Sequence, residues 1–234
     1  MPSHDAGHAP TTLASLRETI VSCDRCPRLR TYGMSVAREK KAAHRDDSYW
    51  GKPVPGFGDP DARVVVVGLA PAAHGANRTG RVFTGDGSGD FLMRAMHATG
   101  FASIPTARHA DDGLVLYGAY ITAAVRCAPP ANRPLPSEIR NCQPHLEAEL
   151  DLLRAARVIV ALGGIAYDTC RRLVRTRGLT TAGRPPFGHD VVWTPAGFPI
   201  VIASYHPSRQ NTNTGRLTAP MLRQVFARAR RLAG

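Results

Sequence analysis

Apolar and polar positions along the chain form blocks that predict β-strands and α-helices in turn. Residues 64–67 are four consecutive valines that run directly into Gly68. A short β-branched run that is apolar on both faces is typical of a strand buried in the middle of a sheet. Three further core strands and one short strand are predicted at residues 117–125, 157–162, 199–204 and 191–193.

Helical periodicity separates these strands. Residues 12–21 place Leu13, Leu16 and Ile20 at helical spacing behind a threonine that can act as an N-cap. Further helices are predicted at residues 89–98, 137–153, 165–176 and 217–232. Pro27 should prevent a continuous helix after the first cysteines, and the polar residues 31–61 predict a long connection packed over the sheet.

Alternating strands and helices indicate an α/β protein with a largely parallel sheet. A chain of 234 residues can bury one sizeable core, so we expect a single domain over residues 1–234, with residues 1–11 as a loose tail. Polar segments follow three of the strands, at residues 69–86, 126–134 and 205–215. Open α/β sheets bind ligands at the carboxyl ends of their strands, and we expect the active site there.

Charge and composition narrow the function only partly. The net charge is +12, with 30 lysines and arginines against 18 acidic residues. This excess has two interpretations: codon usage in a GC-rich genome, or a surface that binds nucleic-acid phosphates. No apolar run is long enough to span a membrane, and residues 1–10 lack the apolar core of a secretory signal. We therefore expect a cytoplasmic protein.

The cysteines suggest a metal centre. The five cysteines are an odd number, which does not fit a secreted disulfide framework. Cys23 and Cys26 form a C-x-x-C pair, and Cys127 and Cys142 follow far along the chain. Four thiolates suit zinc or an iron–sulfur cluster, and the alternative is four unrelated buried thiols. Cys170 lies inside a predicted helix and is expected to be a core residue.

Four side chains in the strand-end segments are candidates for chemistry, and each has a structural alternative. Phe83 offers an aromatic face for a heterocycle, or ordinary core packing. Asp86 can orient a water and offset positive charge on a reacting sugar, or cap the helix that follows. His206 can donate a hydrogen bond to a leaving carbonyl. Asn132 can hold a phosphate, a water or a base edge, or serve as a turn residue.

Three motifs closely resemble those of the family 5 (type b) uracil-DNA glycosylases. They are residues 68–86 (GLAPAAHGANRTGRVFTGD), residues 206–218 (HPSRQNTNTGRLT), and residues 125–130 (VRCAPP) with Asn132. The resemblance extends over nearly the whole chain from about Leu16. It implies a three-layer α/β/α fold around a central four-stranded, mainly parallel sheet. It also implies hydrolytic removal of deaminated bases from DNA by a monomer that does not enter a membrane.

The resemblance implies roles for individual residues. It implies a [4Fe–4S] cluster of structural function on Cys23, Cys26, Cys127 and Cys142. It places Asp86, Asn132 and His206 at the reacting base and sugar. Base-binding positions are expected at Ala70, Pro71, Ala72, Ala73 and Phe83. DNA contacts are expected at Arg78, Arg81, Ser208, Arg209, Gln210 and Asn211, with Arg209 or Gln210 filling the space that the flipped base leaves.

Departures from the wider superfamily affect specificity. Many relatives carry an acidic residue where this chain has Leu69-Ala70, and an asparagine that reads uracil near the position of Ala123. A pocket without that reader rejects other bases less strongly, so we expect excision of hypoxanthine and xanthine as well as uracil. Residues 84–88 also lack the basic insertion with a reactive histidine that traps product in a related branch.

Two other functions are considered. A metal-stapled basic module that grips nucleic acid without chemistry would show the same charge and cysteines. An enzyme that cradles a nucleotide phosphate would use the loop at residues 74–81, but this loop lacks the G-x-x-x-x-G-K-[ST] pattern.

Overall fold

A six-stranded sheet lies at the centre of the molecule. The computed structural model describes residues 10–234, so most of the expected tail lies outside the described residues. The strands are β1 (Phe57–Gly58), β2 (Val64–Gly68), β3 (Ala119–Ala123), β4 (Val158–Leu162), β5 (Val191–Trp193) and β6 (Ile200–Ser204). Their order across the sheet is β1-β3-β2-β4-β6-β5.

The four central strands, β3, β2, β4 and β6, are parallel, as the sequence predicts. Short antiparallel strands extend the sheet at both edges, where β1 pairs with β3 and β5 pairs with β6. The sequence does not predict β1, because two residues are too few to show a period. The parallel register places the carboxyl ends of β2, β3 and β6 along one edge.

Helices alternate with the strands. They are α1 (Leu13–Val21), α2 (Pro27–Glu39), α3 (Ala76–Thr79), α4 (Gly87–Ala98), α5 (Pro136–Leu152), α6 (Gly164–Thr176), α7 (Arg209–Asn213) and α8 (Ala219–Ala233). Within residues 10–234, no helix combines the length and the apolar character that a membrane crossing requires.

Two apolar layers cover the sheet, which confirms the three-layer arrangement. Val64 and Val66 pack in one core with α4 and α8. Val65 and Val67 pack in a second core with α5 and α6. All four valines are completely buried, because successive residues of a strand point to opposite faces and both faces are covered here. Cys170 lies in the second core, as expected.

The expected long connection over residues 31–61 is partly wrong. Helix α2 begins at Pro27 and continues to Glu39. Proline lacks a backbone N–H, but the first residue of a helix does not need one, so Pro27 starts this helix rather than breaking it. The remaining residues of the segment cross the carboxyl edge of the sheet before β1.

Candidate active site

The predicted catalytic residues meet in one cavity at the carboxyl edge of the sheet. Its volume is about 570 Å³, and Phe83, Asp86, Asn132 and His206 line it. These residues come from the segments after β2, β3 and β6. The convergence expected from the parallel topology is therefore present, and it forms a site large enough for a nucleobase.

Phe83 forms an aromatic wall of the cavity. Its ring lies beside that of His206, with a centroid distance of 5.7 Å and an angle of 30° between the planes. The backbone of Phe83 has a φ of +51°, which is strained for a bulky residue. Gly68 leaves room for the ring, since a Cβ at that position would lie 2.6 Å from Phe83 Cε2. The ring also packs against the core, so both interpretations of Phe83 hold.

Asp86 caps a helix and also lines the cavity. Its Oδ1 accepts hydrogen bonds from the backbone N–H groups of Ser88 (2.9 Å) and Gly89 (3.0 Å), and so caps α4. Its Oδ2 lies beside Gly75, where a Cβ would approach to 2.3 Å. Burial raises the pKa of Asp86, and the two backbone N–H groups and the charge of Arg209 oppose that rise. The residue thus presents a partly desolvated carboxylate to the cavity.

His206 is held as a neutral imidazole. Burial lowers its pKa to about 4. A neutral ring carries one N–H, which suits it to donate a hydrogen bond to a group that gains negative charge. The backbone carbonyl of His206 accepts a hydrogen bond of 2.9 Å from Asn211 Nδ2, which fixes the start of the following loop.

Asn132 lies on an exposed turn at the cavity rim. It ends a 3₁₀ turn (Pro130–Asn132) whose last two residues, Ala131 and Asn132, have φ values of +52° and +55°. Asparagine tolerates this left-handed backbone better than most residues. The turn therefore holds the Asn132 side chain at the cavity without support from a regular helix.

The predicted base-binding segment contributes unequally to this cavity. Ala70 and Ala72 line it. Pro71 is buried behind them, and Ala73 lines a neighbouring recess instead.

The placement of Arg78 and Arg81 does not fit the expected DNA contacts. Both side chains are buried, with 6% and 7% exposure. Arg78 donates to the carbonyls of His74 and Gly85 (both 2.9 Å) and pairs with the carboxylate of Asp47 at 2.7 Å. Arg81 binds both carboxylate oxygens of Asp112, at 2.8 and 2.7 Å. Their guanidinium groups are committed inside the protein, so we assign them a structural role.

The predicted DNA-binding residues in the loop after β6 differ in role: two of them shape the loop, and two are exposed at the cavity rim. Ser208 caps α7 through its hydroxyl, and Asn211 binds the carbonyl of His206, so both shape the loop. Arg209 and Gln210 are exposed at the cavity rim and remain candidates for DNA contact.

The four predicted metal ligands lie around one small cavity. Cys23, Cys26, Cys127 and Cys142 line it. Burial raises the pKa of Cys127 to about 12, and the proximity of the other three thiols contributes to that rise. Burial likewise raises the pKa of Cys142 to about 11. Over the described part of the chain, no group of three or more Cys, His, Asp or Glu side chains is arranged to hold a metal ion.

The sequence does not predict a buried ion pair that lies next to these thiols. Arg126 and Glu149 are each about 1% exposed at their side chains and are bonded to one another. Thr122 donates to Glu149 Oε2 at 2.6 Å, and the backbone N–H of Arg126 donates to Cys142 Sγ at 3.2 Å. The only sequence signal is that Cys142 and Glu149 share a face of α5.

Comparison with known proteins agrees with this site. The sequence model of the uracil DNA glycosylase superfamily matches residues 55–230. A type-5 uracil-DNA glycosylase of Thermus thermophilus is 50% identical over 217 residues, which cover 93% of this chain and 96% of the relative. A type-5 enzyme of Pyrobaculum aerophilum is 48% identical over 215 residues, which cover 92% and 91%. A type-4 enzyme of the same organism is 31% identical over 166 residues, which cover 70% and 67%.

The chain therefore belongs to the uracil-DNA glycosylase superfamily, and within it to the type-5 family. This confirms the membership that the three motifs predict.

Proposed function

We propose that this protein is a DNA glycosylase that removes uracil from DNA by hydrolysis of the N-glycosidic bond. The observation that carries the proposal is the convergence of Phe83, Asp86, Asn132 and His206 on one cavity. The cavity lies beside exposed Arg209 and Gln210, at an edge that DNA can approach. A base within a duplex is out of reach, so the enzyme flips it into the cavity.

The side chains of the cavity then have separate roles in the reaction. The flipped base stacks against Phe83. As the bond between C1′ and the base breaks, positive charge develops on the sugar and negative charge on the leaving base. The Asp86 carboxylate stabilises the sugar cation and orients the water that adds to C1′. Neutral His206 donates its N–H to the carbonyl oxygen of the departing base.

Single-turnover release of uracil from a duplex oligonucleotide tests these roles. Asp86→Asn and His206→Ala should each slow release by about 100-fold or more, because each removes one charge-stabilising group. DNA affinity should be retained. Asp61→Asn, an exposed change at the opposite edge of the sheet, serves as the control and should act like wild type. Wild-type rates in both site variants would show that the role assignment is wrong.

We further propose that the pocket accepts hypoxanthine and xanthine. Small residues, Ala70 and Ala72, form part of its floor. Neither side chain can hydrogen-bond a base edge, so little in this floor rejects a larger deaminated base. Incubation with duplexes that carry each base, followed by alkali cleavage, measures the range. Activity confined to uracil would refute the proposal that the pocket accepts hypoxanthine and xanthine.

We also propose that Cys23, Cys26, Cys127 and Cys142 hold a [4Fe–4S] cluster. Four cysteine thiolates are the usual ligands of such a cluster. All four thiols line one cavity, so the cluster would need no ligand besides these cysteines. A four-iron cluster also spaces its ligands more widely than a single ion does. The cluster would tie α2, the end of β3 and α5 together, and we assign it no part in bond cleavage.

Visible absorbance and iron content test the cluster. The anaerobically purified protein should be brown and contain iron. Cys127→Ala should lose both signals, whereas Cys170→Ala should keep them, because Cys170 lies in the other core. A colourless protein that contains zinc would overturn the assignment. A cytoplasmic location and action as a monomer stay predictions.

A further inference from the structure

A second recess opens directly beside the base cavity. Its volume is about 410 Å³. It shares with the base cavity the residues Ala72, Asp86, Ser88, Ala131, Asn132 and Arg209. Its outer wall consists of Tyr32, Lys41, His44 and His74, none of which has a role in the reaction described above.

Three segments supply the outer wall: Tyr32 lies in α2, Lys41 and His44 lie in residues 40–49, and His74 lies in the loop after β2. Residues 40–49 are held over the site by contacts with that loop. Helix α2 ends where Lys40 takes a left-handed backbone with a φ of +52°, and this turn directs Lys41 to the recess. Asp47 then accepts a hydrogen bond from buried Arg78 at 2.7 Å, and its Oδ2 lies 3.1 Å from His44 Nδ1. Tyr49 is hydrogen-bonded to His74 Nδ1 at 3.0 Å. The wall is thus anchored at two points to the segment before Asp86.

The recess has a positive character. Lys41 and Arg209 line it, and Asp86 is the one carboxylate among its lining residues in the described chain. Burial lowers the pKa of His74, and the charges of Lys41, His44 and Arg78 lower it further. Burial by itself disfavours charge of either sign, but the positive groups around the recess favour an anion there.

The positive groups continue beyond the recess. A third cavity of about 530 Å³ adjoins it and is lined by His44, Arg108, His109 and Arg209. Asp47, Asp86 and Asp90 also line this cavity, but Asp47 is already paired with Arg78. The three cavities form a path rather than a closed pocket, which fits a polymer with repeated negative charge better than a small anion.

We propose that the recess lined by Lys41, His44 and His74 binds a DNA phosphodiester adjacent to the flipped nucleotide, with Lys41 as the main charged donor. The inference rests on the proposed function: the recess shares lining residues with the base cavity, so a phosphate next to a base flipped into that cavity would lie within reach of the recess. Lys41 acts in binding, and it does not touch the bond that breaks.

Fluorescence anisotropy with a uracil-containing duplex, whose uridine carries a 2′-fluorine that resists cleavage, tests the proposal. Lys41→Ala should weaken binding by about 3- to 10-fold. Its loss of activity should fall mainly on KM rather than on kcat. The slope of log Kd against log salt should decrease by about one, the value for one lost phosphate contact. Lys41→Arg should restore both affinity and slope, and Lys41→Ala/His44→Ala should bind more weakly than Lys41→Ala.

The control is Arg171→Ala, an exposed arginine of α6 that lines none of the three cavities. It should keep the wild-type Kd and slope. Wild-type affinity and slope in the double variant would overturn the proposal for the recess. A wild-type protein that releases no uracil would contradict the proposed function instead, so the two failures are distinguishable.

Discussion

At the scale of the residue, the site is built on exceptions to ordinary backbone preference. Phe83 has a positive φ, and Gly68 and Gly89 leave the space that its ring and carbonyl occupy. A left-handed conformation in a bulky residue costs on the order of 1–3 kcal/mol. Packing of the ring against the core offsets this cost, and Phe83 forms an aromatic wall of the cavity.

Arg78 shows how one buried residue can organise several segments. Arg78→Lys should lower the thermal stability and slow uracil release, because an ammonium group cannot bond the His74 carbonyl, the Gly85 carbonyl and Asp47 together. Gly85 precedes Asp86, so the catalytic carboxylate should lose its orientation. Thermal melts and single-turnover kinetics measure the two effects. A reduced salt dependence of DNA binding with unchanged stability would instead support the phosphate contact first expected for Arg78.

His145 should make the folded protein sensitive to acid. It is 3% exposed, its Nε2 has no hydrogen-bond partner, and burial lowers its pKa from 6.5 to about 4. Between these values the unfolded chain binds more protons, so stability should fall as the pH drops from 6.5 towards 4, by about 1 kcal/mol per pH unit. His145→Gln should make this dependence shallower in thermal melts between pH 7 and pH 5, and the part due to buried His206 should remain.

The matched change is His97→Gln, which alters an exposed histidine of α4 and should follow the wild-type dependence. The same steepness in His145→Gln as in wild type would show that other groups cause the loss of stability.

At the scale of the element, the carboxyl edge of the parallel sheet brings the site together, and helix ends position its side chains. Asp86 caps α4, Ser208 caps α7, and the turn after Cys127 carries Asn132. Asp86 and Ser208 are thereby fixed at the ends of helices, whose backbone is more rigid than that of a free loop, whereas Asn132 is held by its own turn. Precise placement is what a charge-stabilising site requires.

The capping and catalytic roles of Asp86 can be separated by substitution. Asparagine caps a helix about as well as aspartate, whereas alanine does not. Asp86→Ala should therefore lower the free energy of unfolding by about 1 kcal/mol relative to Asp86→Asn, while both variants lose uracil release. Urea denaturation compares their stabilities. Equal stabilities would mean that the cap contributes nothing to the fold.

At the scale of the whole molecule, the count of 30 lysines and arginines overstates the positive groups available to DNA, although ion pairing leaves the net charge of +12 unchanged. Several arginines of the described chain are paired with carboxylates inside or on the protein: Arg28, Arg78, Arg81, Arg126, Arg177, Arg184 and Arg228. Among the positive groups that have no carboxylate partner in these pairs, Lys41, Arg108 and Arg209 line the cavities at the carboxyl edge.

The salt dependence of DNA binding should reflect this division. Arg209→Ala should reduce the slope of log Kd against log salt by about one, because Arg209 is exposed at the cavity rim. Arg81→Lys should leave that slope unchanged, because Arg81 is bonded to Asp112 within the protein. Anisotropy titrations over a range of salt concentrations distinguish the two. A larger decrease for Arg81→Lys than for Arg209→Ala would reverse the assignment.

The sequence by itself determined the α/β class, the four parallel strands, most helices and the family. These follow from local patterns, since side-chain periodicity reports burial, and from motifs that lie within short stretches. It also identified Phe83, Asp86, Asn132 and His206, because parallel topology alone places strand ends at one edge. Helix α2 was missed because a proline at the start of a helix and one that breaks it look alike in sequence.

Only the tertiary structure decided which groups the charged side chains contact. An arginine in a polar loop has the same local sequence whether it faces DNA or a buried carboxylate, so Arg78 and Arg81 could not be assigned without their partners Asp47 and Asp112. The Arg126–Glu149 pair and the recess beside Asp86 likewise join residues that are distant along the chain. The ion pair and the recess depend on which elements pack together, and a local sequence pattern does not contain that information.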